Sequence, residues 1–144
     1  MKVSEILSVV AIVMSTITLT WQIVSWRRTG AVVKVVAKQG FVPGLNGTFV
    51  VIEASNSGRT AVTVTGYGLR SPDGNNLIQL DRVQLSAEIP HRLEAGAEAS
   101  WLMPMGNVQG TCAEQGIRHQ DLVGWVRLGS GGTVMAKRRG VGLK

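Results

Sequence analysis

One uncharged apolar segment near the start of the chain constrains the fold more than any other feature. The run from Ile6 to Trp26 contains no Asp, Glu, Lys or Arg, and Arg27 and Arg28 follow it directly. As an α-helix, these 21 residues would extend about 31 Å, which matches the ~30 Å hydrocarbon core of a bilayer. The sequence therefore predicts a transmembrane anchor, with its basic flank, over residues 1–28.

The charges on either side of this segment predict its orientation. One lysine, the amino terminus and one glutamate precede it, whereas the residues that follow it carry only positive charge up to position 38. Because the positively charged flank stays in the cytoplasm, we expect a single-pass protein of the plasma or inner membrane, with its N-terminus outside and its C-terminal domain cytoplasmic. Trp21 and Trp26 fit the aromatic belt of the membrane interface. The basic residues after the segment are Arg27, Arg28, Lys34 and Lys38.

Two other interpretations of the segment fit less well. A signal peptide has a shorter apolar run of about 7–15 residues and a small-residue cleavage site, and paired arginines after the run oppose export. A helix buried in a soluble domain would need a larger partner core than the remaining residues are expected to form. An uncleaved anchor agrees best with the length and the flanks of the segment.

Small and polar residues recur along one side of the predicted helix, at alternating steps of three and four residues. Such residues let helices approach closely and form hydrogen bonds between them, so they predict a homo-oligomer that assembles through the anchor. The alternative is that the hydroxyl groups bond to their own i−4 carbonyls and face lipid. This helix seam consists of Ser8, Ala11, Ser15, Thr18 and Gln22.

The basic excess of the chain does not lie in the body of the C-terminal domain. The formal net charge is +6, yet positions 39–136 hold six arginines against eight acidic residues. A nucleic-acid-binding fold is expected to present a basic patch, so this distribution argues against nucleic acid except at the tail, residues 138–144. We expect the C-terminal cations to bind anionic lipid headgroups, at about 1 kcal/mol per side chain, or else to act as a solubilising end. They are Lys137, Arg138, Arg139 and Lys144.

The residues that could carry chemistry form no recognisable site. Cys112 is the sole cysteine, which rules out an intrachain disulfide and a cysteine-based zinc site and fits a reducing compartment. His91 and His119 are too few for a zinc site and are expected in solvated loops. The sequence contains neither a nucleophile elbow nor a phosphate-binding or dinucleotide motif. We therefore expect no catalytic residues, no cofactor and no metal.

Downstream of the anchor, the pattern changes to short β-branched runs. Alternation is clearest in Ala61–Leu69, where Val62 and Val64 share one face. Trp101 and Trp125 lie in strand-like runs and are expected in the core. The predicted strands are Ala31–Ala37, Thr48–Ser55, Ala61–Leu69, Leu77–Leu80 (extending at most to Leu85), Ala97–Met103, Leu122–Leu128 and Thr133–Lys137.

Turn residues separate these runs. Asn56–Arg59 offers residues that tolerate positive φ, Ser71–Asn76 contains an Asp-Gly pair, and Gly129–Gly132 is expected to close a hairpin. A short helix is expected within Gly106–Gln115. About seven short strands without a second long helix predict a mainly β domain, an antiparallel β-sandwich, over residues 29–137.

Three of these stretches resemble bacterial immunoglobulin-like domains: EASNSGRTAVTVTGYGL from Glu53, SPDG from Ser71 and PHRLEAGA from Pro90. With the anchor ending in Trp-Arg-Arg, the whole layout is similar to small single-pass membrane proteins of actinobacteria and their phages. The resemblance implies an immunoglobulin-like domain held at a membrane. Its motifs are turn and core motifs, and that family has no assigned activity, so no catalytic residue is carried over.

The sequence thus predicts a non-enzymatic binding or scaffolding module that is anchored in a membrane and has an unidentified protein partner. The alternative is a phage-derived component, which would act in lysogenic exclusion or lysis, or as a virion protein whose apolar N-terminus packs in an assembly. Neighbouring genes would distinguish the two, since tail or lysis genes favour the phage component and an envelope or secretion operon favours the scaffold.

Overall fold

The described residues, 2–77, 83 and 85–137, form two compact units, Met1–Gly30 and Ala31–Lys144. The structure is a computed structural model, in which Arg28 is described by its backbone alone. The first unit is helical and the second is mainly β.

The first unit consists of one long helix, α1 (Val3–Arg28). At its start, the backbone N–H of Lys2 donates to the Glu5 carboxylate over 3.2 Å. At its end, the backbone N–H of Thr29 donates to the Trp26 carbonyl over 3.2 Å. The predicted helical anchor is therefore present as one uninterrupted helix.

The second unit contains two antiparallel sheets. The first sheet has the order β1-β2-β6, and in the second β4 and β5 pair with one edge of β3, while β7 and then β8 follow on its other side. Within the described residues there are eight strands: β1 (Val33–Phe41), β2 (Thr48–Asn56), β3 (Val62–Arg70), β4 (Asn76–Leu77), β5 (His91–Leu93), β6 (Glu98–Pro104), β7 (Val123–Leu128) and β8 (Thr133–Met135). Helix α2 (Met105–Gln115) follows β6, and a 3-10 helix (His119–Asp121) precedes β7.

The distribution of strands over the two sheets follows the immunoglobulin order. In immunoglobulin domains, strands A, B and E share one sheet and strands C, F and G share the other. Here β1, β2 and β6 take the places of A, B and E, and β3, β7 and β8 take those of C, F and G. The mainly β class and the sandwich architecture are confirmed.

Alternating burial along the strands builds the core between the sheets. In β3, Val64 is buried between the exposed Thr63 and Thr65, and an irregular register between Val64 and Gly66 then turns Tyr67 inward. The Tyr67 ring stacks on the fully buried indole of Trp101 from the other sheet, with 5.4 Å between the ring centroids. The core also includes Val35, Val50, Ile52, Leu69, Leu93, Leu122 and Val126, with Met105, Val108 and Cys112 from α2.

The two sheets approach closely at Gly124 of β7. A Cβ atom at this position would lie 2.8 Å from the Cβ of Ala37 in β1. This separation is shorter than van der Waals contact, so a larger residue would force the sheets apart. Glycine is therefore required here for packing between the sheets.

A buried asparagine bonds to residues of three segments of the sandwich: the residue before β1, the turn between β2 and β3, and β5. The side-chain oxygen of Asn56 accepts hydrogen bonds from the backbone N–H groups of Val32 (3.2 Å) and Gly58 (3.0 Å). Its amide nitrogen donates to the carbonyls of Thr60 (2.8 Å) and Leu93 (3.2 Å). An asparagine amide has two donors and two acceptor lone pairs, so this side chain is fully satisfied although it is only 1% exposed.

This role corrects the prediction for Asn56–Arg59. Gly74 and Gly131 adopt positive φ in their predicted turns, but none of the residues from Asn56 to Arg59 does. Asn56 is instead the last residue of β2, and its side chain supplies the hydrogen bonds that hold the turn. A pattern of turn-forming residue types cannot distinguish backbone flexibility from side-chain hydrogen bonding.

The strand predictions differ from the structure at two places. The strand predicted over Leu77–Leu80 is present as Asn76–Leu77, and residues 78–80 lie outside the described part of the chain. The prediction that His91 lies in a loop is wrong, because His91 begins β5 and pairs with Val64. A strand of three residues is too short to show alternation. The other predicted strands, the hairpin and the short helix are present, with bounds shifted by up to four residues.

Candidate interaction surfaces

Helix α1 has the length and composition of a membrane span. The part that could cross a bilayer, Val3–Arg27, has 25 residues, and an 18-residue stretch within it has a mean hydropathy of 1.9 and is not buried within the protein. Every described side chain of this helix is exposed. In water, such an apolar helix would be unstable without a partner, so a bilayer is the simplest environment for it.

The residues predicted for the membrane interface lie in the last two turns of α1. Trp21, Trp26 and Arg27 are exposed, and Arg28 is the last residue of the helix. Indole rings near the basic end of an apolar helix are typical of the membrane–water interface. Their contact with lipid stays a prediction.

The helix seam lies on one side of α1. With about 100° between successive residues, its five members fall within an arc of roughly 80°. The hydroxyl groups of Ser8 and Thr18 donate to the carbonyls of Ser4 and Met14, each over 2.8 Å. Ser15 and Gln22 have no side-chain hydrogen bond within the described part of the chain. These two residues therefore retain the polar groups that could bond across a helix interface.

We expect the double substitution Ser15→Leu, Gln22→Leu to weaken self-association of the anchor. Hydrogen bonds between transmembrane helices contribute about 0.6–2 kcal/mol each, so one lost bond lowers the association constant by roughly three- to thirty-fold. A membrane two-hybrid assay measures this change. The controls Ile12→Leu and Ile17→Leu lie off the seam and should keep the signal; equal signals from all variants would indicate that the seam faces lipid.

Only one of the predicted tail cations lies within the described residues. Lys137 is exposed and stands two positions after the end of β8, whereas Arg138, Arg139 and Lys144 lie outside the described residues. The structure therefore leaves their binding to lipid as a prediction.

The outer face of the second sheet carries a buried tryptophan. Gly124 and Val126 point into the sandwich, so Trp125 between them points outward. Its indole lies across β3 at Gly68, where an added Cβ would be 2.9 Å from the indole carbon Cζ2. Because Gly68 leaves room for the ring, Trp125 is only 3% exposed. It is buried, as predicted, but outside the space between the sheets.

Two arginines lie on this same outer face. The guanidinium carbon of Arg127 lies 5.7 Å from the centroid of the Trp125 ring, a cation–π distance. Met135 is the cross-strand neighbour of Trp125, and its sulfur lies 3.7 Å from Nη1 of Arg70. Nε of Arg70 also donates to the side-chain oxygen of Asn76 over 3.0 Å. We call the set Arg70, Trp125, Arg127 and Met135 the cationic face.

The cationic face was not predicted from the sequence. Trp125 and Arg127 are two residues apart in one strand, which places them on the same side. Arg70, however, joins them only because β3 pairs with β7 and β7 pairs with β8. Local sequence spacing contains no information about that pairing.

The residues expected to lack a chemical role occupy structural positions. The ring of His91 meets Trp101 edge-on, with 6.3 Å between centroids, and His119 lies in the 3-10 helix rather than in a loop. Both are partly buried, so the prediction of solvated loops is corrected for both. Burial raises the pKa of the Cys112 thiol, which disfavours the reactive thiolate. Among the residues described, no group of three His, Cys, Asp or Glu side chains is placed to bind a metal.

No family model matches the chain, and no curated protein matches it significantly. Its function is therefore inferred from its own residues and their arrangement.

Proposed function

We propose that the chain is a single-pass membrane protein with its N-terminus outside, and that its cytoplasmic β-sandwich is a binding or scaffolding module without enzymatic activity. One observation carries the proposal: a helix whose uncharged stretch, Ile6–Trp26, is long enough to cross a bilayer is followed by basic residues and then by a domain with its own core. The basic flank favours the cytoplasm for the sandwich.

The arrangement of the sandwich supports a binding role. Its two tryptophans are used in packing, since Trp101 stacks on Tyr67 and Trp125 covers Gly68. Arg70 and Arg127 lie on an outer surface without an acidic partner among the described residues, and their charge can attract a partner over a distance of about one Debye length. Such a surface acts by holding a partner near the membrane.

We expect a C-terminal reporter that is active only in the cytoplasm to work, and one that is active only after export to stay silent. The reason is the charge difference across the anchor, which sets orientation. Measuring both reporters on the full chain gives the topology directly. An active export reporter would contradict both the orientation and the cytoplasmic location.

Charge substitutions at the flank sharpen this test. Arg27→Glu and Arg28→Glu, combined with Lys34→Gln and Lys38→Gln, should weaken or invert the reporter pattern. The matched control, Arg59→Gln with Arg118→Gln, removes positive charge more than 20 residues from the helix end, where it has little influence on orientation. If both sets behaved alike, the flank would not determine topology.

A further inference from the structure

Positive charge in the sandwich is segregated, although the domain body has more acids than arginines. The carboxylate of Glu94 pairs with Arg92 over 2.6 Å, and that of Asp121 pairs with Arg118 over 3.1 Å. On the cationic face, Arg70 and Arg127 have no acidic partner among the residues described. Their charge is therefore available to an external anionic group.

The backbones of the two arginines stand well apart on the cationic face, although both side chains reach toward the pair of Trp125 and Met135. Arg127 lies opposite Gly66 in the pairing of β7 with β3, four positions along β3 from Arg70. At about 3.3 Å per residue, the backbones of the two arginines are separated by roughly 13 Å. Trp125 lies between them. A surface that carries many negative charges can contact both arginines at once.

The ends of the cationic face extend this pattern. Lys137 stands two positions after Met135 and is exposed, and the sequence continues with Arg138 and Arg139. No acidic residue occurs after Asp121 in the chain. Among the described residues, Lys137 thus adds one further exposed cation just after β8.

We propose that the cationic face docks on anionic phospholipid headgroups. An array of lipid headgroups presents negative charge over a wide area, which can contact both Arg70 and Arg127. This inference rests on the proposed function, because a membrane-spanning α1 keeps the sandwich near a bilayer and makes lipid the most concentrated anionic partner. An acidic segment of another protein is the competing occupant.

The side chain of Met135 is a natural probe for this docking, because it is 38% exposed, lies opposite Trp125 and contacts Arg70. The full chain would be reconstituted in nanodiscs of phosphatidylcholine alone or with phosphatidylglycerol, exposed briefly to hydroxyl radicals, and its methionine oxidation measured by mass spectrometry. We expect Met135 to oxidise more slowly in the anionic discs at low salt and to recover at high salt, where the charges are screened. The buried Met103 and Met105 serve as internal references.

The variant Arg70→Gln, Arg127→Gln should remove most of the protection in anionic discs. Cationic side chains near an anionic surface stabilise docking, and the loss of two is expected to lower the equilibrium constant for docking by about thirty-fold. The matched control Arg59→Gln, Arg118→Gln removes the same charge elsewhere and should keep the protection. The variant Lys137→Gln, Arg138→Gln, Arg139→Gln measures the separate contribution of the tail.

Equal oxidation of Met135 in neutral and anionic discs would overturn the proposal. So would protection that survives in Arg70→Gln, Arg127→Gln but is lost in the tail variant, since the tail alone would then bind lipid. Protection by added polyglutamate, without protection by anionic lipid, would assign the face to an acidic protein segment. A chain that fails to insert into nanodiscs, in contrast, would contradict the membrane anchor and not the cationic face.

Discussion

Replacing Asn56 is expected to destabilise the sandwich by about 3–4 kcal/mol. The substitution Asn56→Ala leaves the N–H groups of Val32 and Gly58 and the carbonyls of Thr60 and Leu93 without their partner, and each buried unsatisfied group costs about 1–3 kcal/mol. Water can reach some of them, so the full sum is not expected. Because a domain is stable by only about 5–15 kcal/mol, this single change removes much of the stability. Urea unfolding of the full chain in mild detergent, followed by fluorescence of the buried tryptophans, measures the loss.

A near-isosteric variant separates hydrogen bonding from packing. Asn56→Asp keeps the volume of the side chain but replaces the donor with an oxygen that faces the carbonyls of Thr60 and Leu93. We expect it to destabilise at least as much as Asn56→Ala, since an acceptor or a charge is then buried against acceptors. Asn107→Ala, on the exposed side of α2, is the control and should change stability by less than about 0.5 kcal/mol. A small effect of Asn56→Asp would indicate that the cluster is not needed for stability.

Gly124→Ala is expected to destabilise the sandwich by about 1–3 kcal/mol, because the added methyl group would overpack the contact with Ala37 of the opposite sheet. The reciprocal substitution Ala37→Gly should restore most of this loss, since the exchange moves one methyl group from β1 to β7 and conserves the core volume. Unfolding curves of the two single variants and the double variant give the coupling energy, which should exceed about 1 kcal/mol.

Gly110→Ala provides the matched control for this series. Nothing lies within 4 Å of a Cβ built at Gly110 in α2, and alanine is favoured over glycine in a helix by about 1 kcal/mol. It should therefore leave stability unchanged or raise it. Additive effects of Gly124→Ala and Ala37→Gly would contradict the close approach of the sheets.

The parts of the fold that depend on local pattern could be predicted from the sequence. The absence of charge from Ile6 to Trp26 predicted helix α1. Alternation in Ala61–Leu69 predicted β3 to within one residue of its observed bounds. Strand β5 was missed because three residues show no period. Its position depends instead on pairing with β3 and on the carbonyl of Leu93, which binds Asn56.

The candidate surfaces were predictable only where they lie along one element. The helix seam follows from the spacing of residues on α1, because helical geometry relates those positions directly. The cationic face combines Arg70, Trp125 and Met135 from three strands. The summed charge of residues 39–136 is negative, so that total does not indicate a positively charged face. Predicting it would require the register of β3, β7 and β8 in addition to their existence.

The burial of Cys112 gives the protein an intrinsic reporter of its own unfolding. It is the sole cysteine of the chain, it lies in the core through α2, and the raised pKa of its thiol suppresses reaction in the folded state. A thiol reagent therefore modifies the chain at one site, and only when α2 separates from the sheets. The rate of labelling therefore reports how often this part of the fold opens. It can be measured in intact membranes without any engineered tag.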